Sequence, residues 1–338
     1  MKLIRFLLFP IAIVYDIVTT VRNILYNTGI FKSRSFKVPI IVVGNLNVGG
    51  TGKSPQIEYL IRLLQDNYSI ATLSRGYKRK TKGFQLVNNT HQAKDVGDEP
   101  LQFFSKFKNI AVAVDADRVN GITNLNKIVT PEVILLDDAF QHRKVKAGFY
   151  VLLTKYNDLY VNDFLLPTGN LRESKRGAKR ANIVVVTKCP EGISEIEMQQ
   201  IQEKLSLQPN QKLFFSAISY NEILKGSQQR VLETVKEEII LVTGIANANP
   251  LLKYLTSRNI KFTHLNYPDH HNFSSSDIAR INTIASVNSE YTKMILTTEK
   301  DYVRLKNKLS NLYYIEIESK IINEKEIFDT EIQRFVES

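Results

Sequence analysis

Residues 38–64, VPIIVVGNLNVGGTGKSPQIEYLIRLL, constrain the fold of this chain more than any other stretch. The segment begins with the apolar, β-branched run 40–43, which is typical of a buried parallel strand. A glycine-rich turn follows, and apolar residues then recur at the i, i+3, i+4, i+7 spacing of one helix face. This order predicts a phosphate-binding loop at a helix N-terminus, with Lys53 on the terminal phosphates and Ser54 on Mg²⁺.

The loop departs from the usual pattern at its first position. The motif G-x-x-x-x-G-K-[ST] has glycine where this chain has Asn47. Asparagine tolerates left-handed backbone angles better than other non-glycine residues, so we expect Asn47 to preserve the turn. A glycine-rich turn without a ligand is the alternative. The predicted nucleotide-binding residues are Asn47, Val48, Gly49, Gly50, Thr51, Gly52, Lys53 and Ser54.

Length and composition narrow the class of protein. A chain of 338 residues has room for two domains. The only cysteine, Cys189, excludes an intrachain disulfide and favours a reducing compartment. The 45 basic and 34 acidic residues give a net charge of +11, which indicates an anionic partner. The basic segments lack the interleaved aromatics and recognition motifs of nucleic-acid binders, so we expect no nucleic-acid partner.

Residues 1–30 differ in composition from the rest of the chain. Residues 3–15 are mostly apolar, which predicts a membrane-associated helix that either lies in the interface or just spans the bilayer. The basic residues Lys32, Arg34 and Lys37 favour the cytoplasmic side for everything that follows. An ordinary amphipathic helix packed on the next domain is the alternative.

Apolar runs alternate with helix-like segments through the first two-thirds of the chain. The predicted buried strands after the loop are residues 70–73, 110–114, 133–136, 150–153 and 183–186. This alternation predicts an α/β fold, a P-loop NTPase-type doubly wound parallel sheet. A second α/β series begins at residue 239, and one of its helices is predicted at 277–287. We therefore predict a core domain at 31–207, a linker at 208–236 and a smaller α/β domain at 237–338.

Two carboxylates follow the predicted strand 133–136. Asp137 and Asp138 resemble the end of a Walker B strand, where a carboxylate helps to position the Mg²⁺ that the phosphates bind. A helix cap and a solvated turn residue are the alternative for this pair. Beside a phosphate-binding loop, we expect the metal role. His142, in the same segment, either faces phosphate or makes a surface hydrogen bond.

A glycine- and proline-delimited loop, residues 97–100, holds the adjacent carboxylates Asp98 and Glu99. Phosphoryl transfer to an alcohol uses a group that accepts the hydroxyl proton, and carboxylates serve this role in kinases. Acidic capping of a helix start is the alternative. His270 is a candidate for tuning or relaying a proton, with a solvated loop histidine as its alternative.

Two further segments bear on the ligand. Arg172, on the glycine-bearing loop LPTGNLRE, suits bidentate binding of a phosphate, and a solvated charged face is the alternative. The segment 187–190, TKCP, partly matches the [NT]-K-x-D loop with which GTPases read guanine, but it lacks the aspartate. We therefore expect ATP rather than GTP.

Taken in order, these motifs resemble the tetraacyldisaccharide 4′-kinase family across nearly the whole chain. The matching segments are VGNLNVGGTGKSP, LSRGYKR, VGDEP, DDAFQHR, LPTGNLRE, GIANANP, YPDHHNF and TTEKD. The resemblance implies a P-loop kinase core, a two-stranded linker, a smaller α/β domain and an N-terminal membrane helix. It also implies transfer of the γ-phosphate of MgATP to the 4′-hydroxyl of a tetraacylated glucosamine disaccharide 1-phosphate. The product would be lipid IVA, made at the cytoplasmic face of the bacterial inner membrane.

The resemblance further implies residue roles. Asp98 would accept the hydroxyl proton and would be tuned by His270 from across the interdomain cleft, while Lys53 would bind phosphate. The implied metal-binding residues are Ser54, Glu99, Asp137 and Asp138. The implied substrate-binding residues are Arg75, Arg118, His142, Arg172 and Glu173. The implied partners are the glycolipid and the membrane surface, with no obligate protein partner.

The chain departs from the family at Ala139, where the family often has glycine, and in GIANANP, which is longer than the usual GIGNP-type loop. Two other classes of protein also fit a phosphate-binding loop. A regulatory or carrier NTPase would turn over nucleotide without a lipid acceptor. A basic membrane-surface protein with an inactive loop would be indifferent to Lys53→Ala.

Overall fold

A computed structural model describes residues 5–286 and 293–338. Two parts of the sequence predictions lie outside the described residues. They are residues 1–4 of the predicted N-terminal helix and Val287, the last residue of the helix predicted at 277–287. The strands are Ile40–Asn45 (β1), Ile70–Ser74 (β2), Gln85–Leu86 (β3), Ala111–Val114 (β4), Val133–Asp137 (β5), Phe149–Lys155 (β6), Ile183–Thr187 (β7), Lys212–Tyr220 (β8), Ile223–Gly226 (β9), Arg230–Val231 (β10), Ile239–Thr243 (β11), Phe262–Asn266 (β12), Ile295–Thr298 (β13), Leu312–Ile315 (β14) and Ile317–Ile321 (β15). The helices are Phe9–Asn27 (α1), Lys53–Leu64 (α2), Ala93–Val96 (α3), Asp98–Lys106 (α4), Arg118–Ile128 (α5), Glu195–Leu205 (α6), Asn249–Ser257 (α7), Ser275–Ser286 (α8), Glu299–Leu305 (α9) and Lys325–Glu337 (α10).

The larger sheet has nine strands in the order β15-β8-β7-β6-β1-β5-β2-β4-β3 within the described ranges. Strand β1 lies between β5 and β6 and is parallel to both. Val43 lies opposite Asp137 across the first pair, and Asn45 lies opposite Leu153 across the second. The carboxyl ends of these strands therefore meet at one edge, where doubly wound sheets bind their ligands.

Alternate residues of each central strand point into two hydrophobic cores. In β1, Ile40 and Val42 contribute to one core, and Ile41 and Val43 contribute to the other. Helices α5 and α6 cover the first core, and α2 and α10 cover the second. Burying such an aliphatic side chain fully stabilises the fold by about 1.5–3 kcal/mol. Burial on both faces explains why the strand is an unbroken apolar run, and the predicted doubly wound α/β core is confirmed.

A smaller sheet follows, with strand order β10-β9-β14-β13-β11-β12. Its strand β11 is parallel to β12 and β13, as expected for the second α/β series that begins at residue 239. Helix α7 packs on one face of this sheet, through Leu251 and Leu255. Helices α8 and α9 pack on the other, through Ile281 and Leu305.

The chain returns from the smaller sheet to the larger one at Glu316, which lies between β14 and β15. Strand β15 pairs antiparallel with β8, and α10 buries Phe328 and Ile332 against the larger sheet. The sequence-based assignment of all of 237–338 to the smaller domain thus differs from the structure for residues 317–338. Hydrophobic periodicity identifies a strand or a helix, but it does not identify the sheet on which that element packs.

The N-terminal helix α1 exposes most of its apolar side chains. By length and composition, it is the one helix of the described chain that could cross a membrane. Its exposed large apolar residues are Phe9, Ile11, Ile13, Val14, Ile17, Val18, Val21 and Ile24. Polar contacts fasten the opposite side to the core: Tyr15 Oη donates to the Arg172 carbonyl at 2.8 Å, and Asn23 Nδ2 donates to Glu173 Oε2 at 3.0 Å.

Candidate active site

The phosphate-binding loop connects β1 to α2 at the centre of the larger sheet. Gly49 and Gly52 have φ angles of 106° and 88°, in the left-handed region that favours glycine. Gly52 is the N-cap of α2, and no side chain caps this helix end. The first backbone N–H groups of α2 therefore remain available to an anion, as the sequence predicts for Lys53 and Ser54.

The interactions that accommodate Asn47 at the first position of the loop differ from the one expected. It is not among the residues with positive φ, so its tolerance of left-handed angles is not used. Instead, its buried Nδ2 donates to Asp163 Oδ2 at 2.8 Å, and Asn47 forms an antiparallel bridge with Leu171. Val48 N donates to the Asn170 carbonyl at 2.8 Å. The start of the loop is thus tied to the 163–171 segment.

Two residues at the end of β7, Thr187 and the following Lys188, support the loop from the other side. Thr187 Oγ1 donates to the carbonyl of the buried Thr51 at 2.7 Å, and Lys188 Nζ donates to the Gly50 carbonyl at 2.8 Å. These bonds occupy loop carbonyls and use none of the loop N–H groups. The sequence marked residues 187–190 only as an incomplete base-reading loop, so this supporting role was missed.

Lys53 and Arg172 both reach Asp138. The Lys53 Nζ lies 3.8 Å from Asp138 Oδ1, and the Arg172 guanidinium donates to both Asp138 oxygens at 2.7 and 3.1 Å. Arg172 also donates to the Asn45 carbonyl at 3.0 Å, which fixes it to the end of β1. Burial alone would raise the pKa of Asp138, but Lys53 and Arg172 outweigh it and lower the pKa. Asp138 is therefore a carboxylate at neutral pH.

Asp137 is a buried carboxylate, 2% exposed, and its Oδ1 has no hydrogen-bond partner within the described chain. Burial, together with the charges of Glu99 and Asp138, raises its pKa to about 8. Nearby, Ser54 Oγ donates to Glu99 Oε1 at 3.0 Å. An unpartnered buried oxygen among carboxylates and a hydroxyl marks a place for a positive charge.

This donor set fits Mg²⁺, which favours oxygen ligands and takes one or two carboxylates together with phosphate and water oxygens. No group of three His, Cys, Asp or Glu residues is arranged to hold a metal within the ranges described. A dedicated protein cage is therefore absent there. A cation that shares its ligands with a nucleotide phosphate does not require one.

Asp98, at the start of α4, receives hydrogen bonds from two residues of the smaller unit. His270 Nδ1 lies 2.9 Å from Asp98 Oδ2, and Arg304 Nε donates to Asp98 Oδ1 at 3.1 Å. The Nη2 of Arg304 also contacts Asp98 Oδ2. Burial would raise the pKa of Asp98, but the hydrogen bonds of His270 and Arg304 lower it to about 2. The structure thus brings together Asp98 and His270, which are 172 positions apart.

His270 has a cationic neighbour at each ring nitrogen. Lys300 Nζ lies 3.0 Å from Nε2, and an ammonium group can only donate. Nδ1 lies 2.9 Å from Asp98 Oδ2 and 3.2 Å from Arg304 Nη2. Neither Lys300 nor Arg304 was singled out from the sequence. Their i, i+4 spacing in the helix that begins within TTEKD was the available signal, since it places both on one face.

The predicted substrate-binding residues occupy different environments. Arg75 is exposed and lines an open cleft of about 450 Å³ together with Tyr77 and Lys78. Arg118 is buried beneath the site, where Nη1 donates to the Asp115 carbonyl at 2.7 Å, and burial lowers its pKa to about 10. Arg75 is therefore open to a ligand, whereas Arg118 is held by the protein.

His142 has a buried Nε2 without a hydrogen-bond partner within the described residues. Burial, followed by the charge of Arg118, lowers its pKa to about 4, so the ring is neutral near pH 7. A neutral imidazole can donate to or accept from a polar ligand, but it offers phosphate no charge.

Glu173 lies away from the open side of the site. It is 1% exposed, and its two oxygens accept from Asn23, Gln141 and Arg180 at 3.0, 3.0 and 2.7 Å. Three protein donors leave a buried carboxylate little capacity for a sugar or a phosphate. We therefore do not assign it the substrate contact expected from the sequence; its contacts hold α1 against the core.

Comparisons with known proteins agree over the whole chain. The family model described as tetraacyldisaccharide-1-P 4′-kinase matches residues 4–337. A protein of Flavobacterium johnsoniae named tetraacyldisaccharide 4′-kinase is 52% identical over 341 residues, covering 99% of this chain and 98% of that protein. One of the same name from Bacteroides thetaiotaomicron is 46% identical, covering 88% of this chain and 82% of its own length.

Among solved structures, the "apo" form of LpxK from Aquifex aeolicus in complex with ATP is similar over 98% of this chain and 99% of its own. The TM-score is 0.80 and the sequence identity is 30%. Both the sequence and the fold therefore match along their full length. The chain belongs to the tetraacyldisaccharide-1-P 4′-kinase family.

Proposed function

We propose that this chain transfers the γ-phosphoryl group of ATP to the 4′-hydroxyl of a tetraacyldisaccharide 1-phosphate, giving lipid IVA. The observation that carries the proposal is the position of two adjacent carboxylates at the start of α4. Asp98 faces His270 and Arg304 of the smaller unit, while Glu99 accepts from Ser54 of the phosphate-binding loop. One helix start therefore joins a proton acceptor to the site that binds the phosphoryl donor.

On the donor side, the loop N–H groups and Lys53 bind the nucleotide phosphates. The residues that would hold Mg²⁺ are Ser54, Glu99, Asp137 and Asp138. When bound, Mg²⁺ supplies charge neutralisation to the phosphate oxygens. Arg172 positions Asp138 through two hydrogen bonds and also carries a positive charge toward the same edge of the sheet. These residues orient the donor and stabilise its charge.

On the acceptor side, Asp98 receives the 4′-hydroxyl proton as the oxygen bonds to phosphorus and the bond from phosphorus to ADP breaks. His270 and Arg304 keep Asp98 ionised near neutral pH, and Oδ1, which accepts only from Arg304 Nε among the described residues, retains lone-pair capacity for the hydroxyl. A weakly basic carboxylate suffices because phosphoryl transfer has a loose transition state that needs little help from a strong base. The products are ADP and a phosphate monoester.

The acceptor is a lipid, and the exposed apolar side of α1 fits delivery from a membrane. We propose that α1 is embedded in the bacterial inner membrane and that the active site faces the cytoplasm. Arg75, which is exposed on the cleft, is the proposed contact for the existing phosphate of the substrate. His142, at the polar end of the DDAFQHR segment, is proposed to contact a sugar hydroxyl.

The test is transfer of radiolabelled γ-phosphate from ATP to a tetraacyldisaccharide 1-phosphate in detergent micelles. We expect labelled lipid with the wild-type chain and a rate lower by about 10²–10⁴ with Asp98→Ala. Asp66→Ala removes an exposed carboxylate from the loop after α2 and serves as the matched control. Absence of labelled lipid with the wild type would refute the proposal. Nucleotide hydrolysis without lipid labelling would favour a switch-type NTPase instead.

A further inference from the structure

A buried cluster of charges lies at the end of α4 opposite to Asp98. Helix α4 begins at Asp98 and ends at Lys106, about 12 Å away along the helix axis. The Lys106 Nζ lies 2.8 Å from an oxygen of Glu58, 2.9 Å from one of Glu299 and 3.4 Å from one of Glu316. All four side chains are at most 10% exposed. We call these four residues the Lys106 cluster.

Each carboxylate of the Lys106 cluster belongs to a different structural unit. Glu58 lies in α2, the helix that follows the phosphate-binding loop. Glu299 is the first residue of α9, a helix of the smaller unit. Glu316 is the residue at which the chain crosses from the smaller sheet to the larger one. Lys106 therefore links the donor site, the smaller unit and the crossing between the two sheets.

Helices α4 and α9 form an antiparallel pair with a charged contact at each end. At one end, Asp98 of α4 meets Arg304 of α9; at the other, Lys106 of α4 meets Glu299 of α9. Between the two ends, Val303 packs against the core of the larger sheet. The relative position of these helices thus determines where the smaller unit's side chains meet the proposed base.

The two ends of the α4–α9 pair differ in burial and in how fully protein partners occupy their hydrogen-bonding groups. Lys106 has three N–H donors and three carboxylate neighbours, so its bonding capacity is filled. Burial alone would lower the pKa of Lys106, but Glu58 and Glu299 raise it, so the amine stays charged. Glu316 is also paired with Lys225 at 2.9 Å. Asp98 and His270, at 15% and 19% exposure, lie instead at the cleft where a substrate must enter.

We propose that Lys106 is a positioning residue for phosphoryl transfer. It is the fixed end of the α4–α9 pair and sets the approach of Arg304 and His270 to Asp98. This inference rests on the proposed role of Asp98 as the proton acceptor.

The first test does not depend on activity. Amide hydrogen exchange, followed by mass spectrometry, is compared for peptides covering 98–106 and 299–305 in the wild type, Lys106→Met and Lys106→Arg. Lys106→Met leaves three buried carboxylates without their shared partner, so we expect faster exchange in both peptides. Lys106→Arg, which keeps a donor cation, should exchange more slowly than Lys106→Met. Lys108→Met, whose lysine lies over the ring of Phe104, is the matched control and should match the wild type.

The second test separates positioning from nucleotide binding. Helix α2 remains anchored by its apolar core residues Ile57, Leu60 and Ile61, so we expect the KM for ATP to change by less than about twofold in Lys106→Met. Misplacement of positioned groups by about 1 Å lowers rates by about 10²-fold, so kcat should fall on that order. Lys106→Arg should retain part of the kcat that Lys106→Met loses.

Glu299→Gln is the second variant, since it removes only the contact on the smaller unit and keeps the inference testable if Lys106→Met does not fold. We expect it to raise exchange in 299–305 and to lower kcat. Wild-type exchange and wild-type kcat in the folded variants would overturn the inference. If the wild-type chain labels no lipid, the proposed function fails, and exchange alone still decides whether Lys106 holds the helix pair.

Discussion

Arg304 donates to both carboxylate oxygens of Asp98, although the two residues are 206 positions apart in the chain. This contact crosses from the smaller unit to the start of α4. It holds the candidate base as a carboxylate and makes its environment depend on how the two units meet. The pKa of Asp98 is therefore a property of the assembled cleft rather than of the α4 loop alone.

Replacing Arg304 with methionine should shift the pH dependence of catalysis. The pKa of Asp98 is held at about 2, and without the guanidinium the effect of burial is opposed only by His270, so the pKa rises. We expect the acidic limb of the kcat/KM profile to move to higher pH. The measurement is lipid phosphorylation across pH 4–8, with Arg334→Met, on an exposed helix face, as control. An unchanged acidic limb would contradict this assignment.

The same variant should also change stability against acid. Because the folded-state pKa of Asp98 lies below its ordinary value, its ionisation stabilises the fold above pH about 4, and this contribution is lost as the pH falls toward 2. Arg304→Met should therefore show a smaller loss of unfolding free energy over this range than the wild type. Urea denaturation at a series of pH values measures the difference.

Arg172→Lys should lower the rate even though it keeps the positive charge. Arg172 donates to both oxygens of Asp138 and to the Asn45 carbonyl, a geometry that a lysine cannot reproduce. We expect kcat to fall by about tenfold or more, since loss of a charged hydrogen bond is worth about 1.5–3 kcal/mol. Arg176→Lys, four residues along and exposed in a short 3₁₀-helix, should have wild-type kcat. Equal effects of the two substitutions would argue against a positioning role for Arg172.

Gly52→Ala should weaken nucleotide binding through the backbone. Gly52 has a φ of 88°, where an alanine is strained by about 1–2 kcal/mol, while the nearest atoms leave room for a methyl group. The loop should relax away from this conformation and lose part of its N–H array. Binding of a fluorescent ATP analogue measures the effect. Gly192→Ala, at an open position without positive φ, should bind as the wild type does.

His142→Asn should reduce the acid sensitivity of folding. Burial lowers the pKa of His142 to about 4, whereas the unfolded chain binds this proton near pH 6.5. The unfolded state therefore takes up the proton first, and stability falls as the pH drops from about 6.5 to 4. Thermal unfolding between these pH values should depend less on pH in His142→Asn than in the loop variant His91→Asn. A parallel pH dependence in both variants would contradict the shift.

The sequence was most informative where the physics is local. The β-branched run, the glycines and the helical spacing of residues 38–64 predict a strand, a turn and a helix, and each is present. These signals arise from neighbours in the chain, so no knowledge of the tertiary structure is needed. The positive φ angles of Gly49 and Gly52 are also local features, because they follow from glycine at those positions.

The sequence was least informative where two distant segments meet. The contact between Asp98 and His270 followed only from family resemblance, because no local pattern encodes a partner 172 positions away. Lys300 and Arg304 resemble ordinary solvated residues of a short helix, and only the cleft shows what they contact. Glu173 follows Arg172 directly, yet one faces Asp138 and the other is sealed beneath α1. Burial of that kind depends on packing that a loop sequence does not specify.

The hydrogen bond from Tyr15 to the backbone carbonyl of Arg172 has a mechanical consequence. The residue whose carbonyl accepts from α1 also carries the guanidinium that donates to Asp138. With α1 embedded in a bilayer as proposed, a displacement of the helix would reach that guanidinium through Arg172. We therefore expect the lipid surroundings to affect the phosphate chemistry of this protein as well as its location.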